Sequence, residues 1–347
     1  MLRYWLSLTL VALCCLSLAA QEKAGKPETT LNIGDPAPKL AITKWMKGDA
    51  VQAFKPGNVY VVEFWATWCG PCIASMPHIS ELQSEYRSKG LTIIGLTSKD
   101  PNNSEEQVTD FVKNRGDIMQ YNVAWCEDRA TNDAYMKAAG RNGIPCSFVI
   151  DKQGNVAFIG HPMILDEVLP KVIDGTWNAK AEAKALEEKL EATFEKLQKA
   201  GQDNEKGLEI FASIEKDTPR LATQFGDFKL MLLLKNKKSA EAEALFKTLF
   251  EKSAKKKDAN KLTSISRMWG NTSMNTEKYK LELAVEAAEE AQKLAGPKDI
   301  GSLLAAAQAY DAVGNKAKAS EAADKAITAA PDQLKDRIKQ MVEKYKK

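Results

Sequence analysis

Two cysteines three positions apart, in Trp68-Cys69-Gly70-Pro71-Cys72, are the residues of this sequence best suited to chemistry. Sulfurs at that spacing come close enough to form and break a disulfide. The stretch is entered from an apolar run, Val59-Tyr60-Val61-Val62-Glu63-Phe64-Trp65, and leaves into a helical pattern from Ile73 to Lys89. A strand-to-helix turn places Cys69 at a helix N-terminus, where backbone N–H groups and the helix dipole favour a thiolate over a thiol. The thiolate is the attacking form, so the expected chemistry is disulfide exchange. The competing reading is a permanent staple. A bond across so short a loop constrains the unfolded chain little, which argues against it.

Elements on both sides must hold this turn in place. Strand patterns fall at Tyr60–Trp65, Thr92–Thr97, Asn122–Trp125, Cys146–Ile150 and Val156–Ile159, with helical patterns between them at Pro71–Lys89, Glu105–Arg115, Ala130–Ala139 and Asp166–Ile173. Strands alternating with helices predict an α/β unit with a central sheet flanked by helices. Asp151-Lys152-Gln153-Gly154-Asn155 reads as a hairpin turn between the last two strands. Near Gly175 the character changes. β-branched runs vanish, and Ala, Glu, Lys and Leu dominate at helical spacing. Pro297 and Pro331 are 34 apart, as are Trp269 and Leu303. Leu303, Ala306, Ala307, Tyr310, Ala319, Ala323, Ala326 and Pro331 take the small-and-large positions of a tetratricopeptide-like hairpin. The expected division is a redox unit at 31–175 and an all-α, TPR-like region at 176–347, with the charged helix Lys180–Lys199 connecting the two or opening the array. Trp269 and Tyr310 are expected in its core.

With 347 residues, 44% hydrophobic and 27% charged, the chain has room for about two globular domains. A formal net charge of +3 leaves no global nucleic-acid footprint, and Lys255-Lys256-Lys257 reads as a solvated stretch. Residues 1–20 read as a secretory signal: Arg3, then an apolar stretch from Leu6 to Leu18, then small residues at Ser17-Leu18-Ala19-Ala20. That stretch is short of the ~20 residues that span a bilayer. Cys14 and Cys15 raise lipid anchoring, but Leu13 is too bulky for the position before a lipidated cysteine, so cleavage is expected instead. Residues 21–30 form a polar tether. Export implies an oxidising compartment, periplasmic or extracytoplasmic, with four cysteines left after processing: Cys69, Cys72, Cys126 and Cys146.

Phe64-Trp65-Ala66-Thr67-Trp68-Cys69-Gly70-Pro71-Cys72, with Pro77 five residues on and Gly143-Ile144-Pro145 before the fourth strand, resembles the thioredoxin fold, in particular the exported TlpA/ResA type of thiol–disulfide oxidoreductase. The resemblance covers residues 31–175. It implies that Cys69 is the attacking thiol and Cys72 the resolving one, the two forming a redox-active disulfide. It implies a cis peptide at Pro145, with Ile144 presenting backbone to an extended substrate beside Trp68, Gly70 and Pro71. Trp68 would shield the thiols, and Pro77 would kink the helix. Glu63 stands where many thioredoxins carry Asp. Buried there, it would have a raised pKa and accept the proton of Cys72; the other reading is a strand carboxylate facing solvent. Gly70-Pro71 is the thioredoxin dipeptide, whose couple lies near about −270 mV against about −120 mV for a strong oxidant. The implied role is therefore reduction or isomerisation of client disulfides, with an unidentified electron-donor protein and no cofactor.

Cys146 departs from that pattern, and Cys126 ends an earlier strand. Three arrangements are open for this possible second thiol pair: a Cys126–Cys146 disulfide, two buried thiols acting as small hydrophobes, or metal ligation together with the redox pair. His78 and His161 read as packing or surface residues and add no metal set; no metal site is expected. Two other functions compete with the enzyme. In one, the helical region binds a protein partner and the redox unit is a redox-sensitive scaffold. In the other, the chain handles copper, as some exported thioredoxin-like proteins do.

Overall fold

The structure, a computed structural model, describes residues 29–346. The signal-like residues 1–20, with Cys14 and Cys15, lie outside the described residues. The last two residues of the expected tether are already docked: the Thr30 amide donates to Ala138 O at 2.8 Å.

Strand β2, Val59–Phe64, is the centre of the fold. All six of its residues are buried, as a run of β-branched and aromatic side chains requires of a strand covered on both faces. It pairs in parallel with β3, Leu91–Ser98, and antiparallel with β5, Cys146–Ile150. With β1 (Lys44–Lys47), β4 (Asn122–Cys126) and β6 (Val156–Gly160) they form a six-stranded mixed sheet in the order β1-β4-β3-β2-β5-β6. Strand β1 carries no β-branched residue and had no sequence signal; its pairing with β4 supplies it. The turn expected at 151–155 is present, with Gly154 at φ +86° and its amide on Asp151 O at 3.0 Å.

Helix α1, Gly70–Tyr86, starts with a proline in its first turn and has Cys69 as N-cap. Helix α2, Glu105–Arg115, begins with a capping box between Ser104 and Gln107. Helix α3, Leu165–Asp174, ends at Gly175, whose φ of +75° closes the last turn. The helix expected at 130–139 is present over 130–137 but is not a regular α-helix. A turn at Ala130–Asn132 widens into a π-helical segment, Asp133–Lys137, in which Tyr135 and Met136 are drawn into the core and the Tyr135 hydroxyl donates to Pro38 O at 2.6 Å.

Ten α-helices, among the described residues, follow Gly175. The first, α4 (Ala179–Gln202), has a double role: Ala183 and Leu190 join the core under the sheet, while Leu197 and Ala200 join a cluster with Phe211 and Ile214. It does connect the two halves. Helices α5 (Gly207–Asp217), α6 (Pro219–Gln224), α7 (Gly226–Lys235), α8 (Ser239–Lys255), α9 (Ala259–Trp269), α10 (Glu282–Ala295), α11 (Ile300–Ala312), α12 (Lys316–Ala329) and α13 (Asp332–Val342) complete the region. Leu303, Ala306, Ala307, Ala319, Ala323 and Ala326, picked out by the 34-residue spacing, are all buried in one core with Trp269. Small side chains there let α11 and α12 approach closely. Tyr310 is only half-buried, and its hydroxyl donates to Glu289 at 2.6 Å. The two halves are also tied by polar contacts. Arg115 reaches Asp299 at 3.0 Å and Asn260 at 3.1 Å, Arg141 meets Glu187 at 2.6 Å, and Glu81 pairs with Lys256.

Candidate functional site

Cys69 and Cys72 are joined by a disulfide at the start of α1. The amide of Cys72 donates to Cys69 Sγ at 3.2 Å. When the bond opens, that donor is already aimed at the sulfur that takes the charge, and the helix dipole acts in the same sense. Cys69 is 4% exposed and Cys72 1%, so an attacking or attacked partner reaches Cys69 past the exposed rim of Trp68, Gly70 and Pro71. Trp68 is 55% exposed, and its Nε1 donates to Asp100 Oδ2 at 3.0 Å. The indole is held by a carboxylate and not by the core.

Asn103 sets the loop before the cysteines. It is 1% exposed, and its Oδ1 accepts from the Thr67 amide at 3.0 Å and from Thr67 Oγ1 at 2.8 Å. Its Nδ2 donates to Thr97 Oγ1 at 2.9 Å and to Ser98 O at 2.8 Å. Nothing in the local sequence marks this residue. Asn103→Ala leaves these buried groups unpaired, and is expected to lower the unfolding free energy by about 1–3 kcal/mol in urea titration. Unchanged stability would show that the loop is held elsewhere.

Glu63 is buried, not solvent-facing, at 2% exposure on the sheet face that carries α1. Desolvation raises its carboxyl from 4.5 to about 8, and the hydroxyl of Ser147, donating to Glu63 Oε2, only moderates the rise. Ser147 was missed in the sequence; it stands directly opposite Glu63 in the β2–β5 register. Glu63 Oε1 and Trp65 Nε1 make no hydrogen bond among the described residues. Gly95, paired with Glu63 across β2–β3, leaves the space: a Cβ there would lie 2.8 Å from the Tyr121 ring and 3.3 Å from Trp65 Nε1. The Ile144–Pro145 peptide is cis, as the resemblance implied.

Cys126 and Cys146 are not bonded to each other; both are free and buried. They sit at the same end of the sheet, opposite Ser98 and Phe64, but β3 and β2 lie between their strands. Three strand spacings put them about 14 Å apart, beyond the reach of a disulfide. Cys146 also packs on the opposite sheet face from Cys69 and Cys72, so the sulfurs do not converge on a shared ligand set. Among the described residues no group of three or more His, Cys, Asp or Glu could hold a metal ion. Burial pushes Cys126 up to about 11 and Cys146 up to about 12, so both stay neutral small hydrophobes. His161 caps the turn Pro162–Ile164 and is held neutral, its imidazole lowered to about 4 by burial. His78 is the opposite case. Burial disfavours its charge, but Asp166, 2.7 Å from Nε2, and Glu81 outweigh that and raise it to about 9.

Beside the motif opens a cleft of about 1150 Å³. One wall is Pro71, Ala74 and the Gly143–Ile144–Pro145 segment. The helical region also lines it, through residues of α4, α6, α8 and α9.

The Redoxin family profile matches residues 32–164. Protein FixW of Rhizobium leguminosarum is 30% identical over 155 residues, 44% of this chain and 70% of that protein. Thiol-disulfide oxidoreductase ResA of Bacillus thuringiensis is 34% identical over 131 residues, 37% of this chain and 69% of that protein. Among solved structures, a thiol:disulfide interchange protein of the thioredoxin family from Chlorobium tepidum is 28% identical, covering 40% of this chain and 96% of that one with a TM-score of 0.34. With its thioredoxin-fold unit, its Cys69–Cys72 pair and its FixW and ResA relatives, the chain belongs to the ResA-type thiol–disulfide oxidoreductases of the Redoxin family.

Proposed function

We propose that this oxidoreductase reduces or isomerises disulfides of client proteins outside the cytoplasm. The observation that carries the reading is the Cys69–Cys72 disulfide at a helix N-terminus, with the Cys72 amide on Cys69 Sγ. The pair is first reduced by a donor protein. The Cys69 thiolate then attacks a client disulfide, forming a mixed disulfide and releasing one client thiolate. Cys72 loses its proton to Glu63 and attacks Cys69 Sγ. This restores the Cys69–Cys72 bond and releases the second client thiolate; two electrons pass from the pair to the client. Trp68, Gly70, Pro71 and Ile144 border the place where the client disulfide docks, and the helical region carries a further partner surface. Export rests on the signal-like residues 1–20. No helix among the described residues is long and apolar enough to cross a membrane.

The direction of exchange rests on Gly70-Pro71. Equilibration of the pair in glutathione or dithiothreitol redox buffers, read by thiol alkylation and mass, is expected to give a potential near about −270 mV. A value near about −120 mV would make the chain an oxidant and reverse the assignment.

A further inference from the structure

The cleft beside the motif is not made by the redox unit alone. Helix α4 lays one face along it, with Glu187, Leu190, Glu191 and Phe194 at spacings of three and four residues. Leu190 is buried in the core, but Phe194 is 41% exposed, one of the few large apolar side chains so placed among the described residues. Its ring meets His161 edge-on at 6.2 Å and Phe225 at 6.0 Å, which hold it without covering it. The same cleft is lined by Pro71, within the Cys-x-x-Cys motif, and the cis residue Pro145.

We propose that this cleft takes an extended segment of the client polypeptide and that Phe194 contacts a bulky apolar client residue flanking the attacked cysteine, so that α4 sets sequence preference at Cys69. The inference rests on the oxidoreductase reading. A client disulfide on Cys69 lays its own chain beside Pro71 and Pro145, and both line the cleft that Phe194 faces. A volume of about 1150 Å³ exceeds the roughly 300–1,000 Å³ of small-ligand pockets and suits a polypeptide stretch. The lining mixes the Phe194 and Phe225 rings with charges of both signs: Glu187 and Glu191 on α4, Lys252 on α8, Lys256 just past its end and Lys261 on α9. That composition matches a polypeptide with an apolar anchor and polar flanks.

The test uses the full chain and two disulfide-bonded peptides that differ only in carrying leucine or serine beside their cysteines. The wild type is expected to reduce the leucine peptide with a KM about tenfold lower, the scale at which an apolar contact discriminates. In Phe194→Ala the two KM values are expected to converge, and Phe194→Leu is expected to keep most of the difference, separating loss of the contact from damage to the fold. Equal KM values in the wild type, or an undiminished difference in Phe194→Ala, would overturn the inference. So would reduction of a small aromatic disulfide but of neither peptide, which leaves the oxidoreductase reading standing. No reduction of any of the three removes both. A wild-type dimer in sedimentation velocity that Phe194→Ala dissociates would assign the wall to a second copy of the chain, and so overturn the client assignment.

Discussion

Cys69→Ser is expected to abolish reduction of a protein disulfide, lowering turnover with a chemical electron donor by on the order of 10³-fold or more. A serine hydroxyl does not ionise near neutrality, so the helix N-terminus and the Cys72 amide have no anion to stabilise. Cys72→Ser should fail differently. Cys69 can still attack, but nothing resolves the product, so the client accumulates as a one-to-one mixed disulfide visible by mass under non-reducing conditions. The pair of variants distinguishes an exchange enzyme from a structural staple. Loss of the bond relieves a constraint on a loop of three peptide links, worth only about 2 kcal/mol in the chain-entropy account. Both variants should therefore fold, and a melting curve confirms that lost turnover is not lost structure. Full turnover in Cys69→Ser would remove the enzyme assignment, whatever the fold.

How much of this was legible in the sequence depends on how far apart the cooperating residues lie. The redox turn is local: an apolar strand, two cysteines with proline between them and a helical period occupy some thirty consecutive residues, and the structure returns them as β2 and α1. Glu63 was visible for the same reason, as a lone carboxylate in an apolar run. Ser147 was not, because its partner is 84 positions away and only the β2–β5 register joins them. Asn103 holds Thr67 across 36 positions by a side chain that a loop asparagine does not announce. Cys126 and Cys146 sit at one end of the sheet, but whether they can pair depends on a strand order that periodicity does not give. The π-helical widening at Asp133–Lys137 follows from burying Tyr135 and Met136, a tertiary demand on a segment that reads as ordinary helix. The wall of α4 facing the cleft needed both halves in place. Sequence marked α4 as a charged helix but could not say which neighbour its faces meet.

Glu63→Gln is expected to separate the stability of this protein from its chemistry. The carboxyl titrates near 4.5 in the unfolded chain and about 8 in the fold. Below pH 4.5 both states hold the proton and burial carries no charge penalty. As pH rises the unfolded chain ionises first, so folding stability falls until about pH 8 and is level beyond it, a loss of up to about 5 kcal/mol. The amide that replaces the carboxyl has no proton to lose, so unfolding free energies measured in urea at pH 5 and pH 8 should differ by several kcal/mol less in the variant. His78 adds a slope of the same sign in a later window. Its stabilisation is complete below pH 6.5 and is lost as pH rises through about 9, and it remains in Glu63→Gln. Ser147→Ala removes the hydrogen bond that restrains the rise of the Glu63 carboxyl, so the midpoint of the pH-dependent loss should move upward. Chemistry should respond in the opposite direction to stability. If Glu63 takes the proton of Cys72, resolution of a preformed mixed disulfide accelerates in the wild type as pH approaches 8, when the carboxylate forms. In Glu63→Gln that step should be slower by about 10²-fold and should lose the inflection near pH 8. A variant that gains stability and resolves mixed disulfides at the wild-type rate would leave Glu63 a buried cost with no part in the exchange.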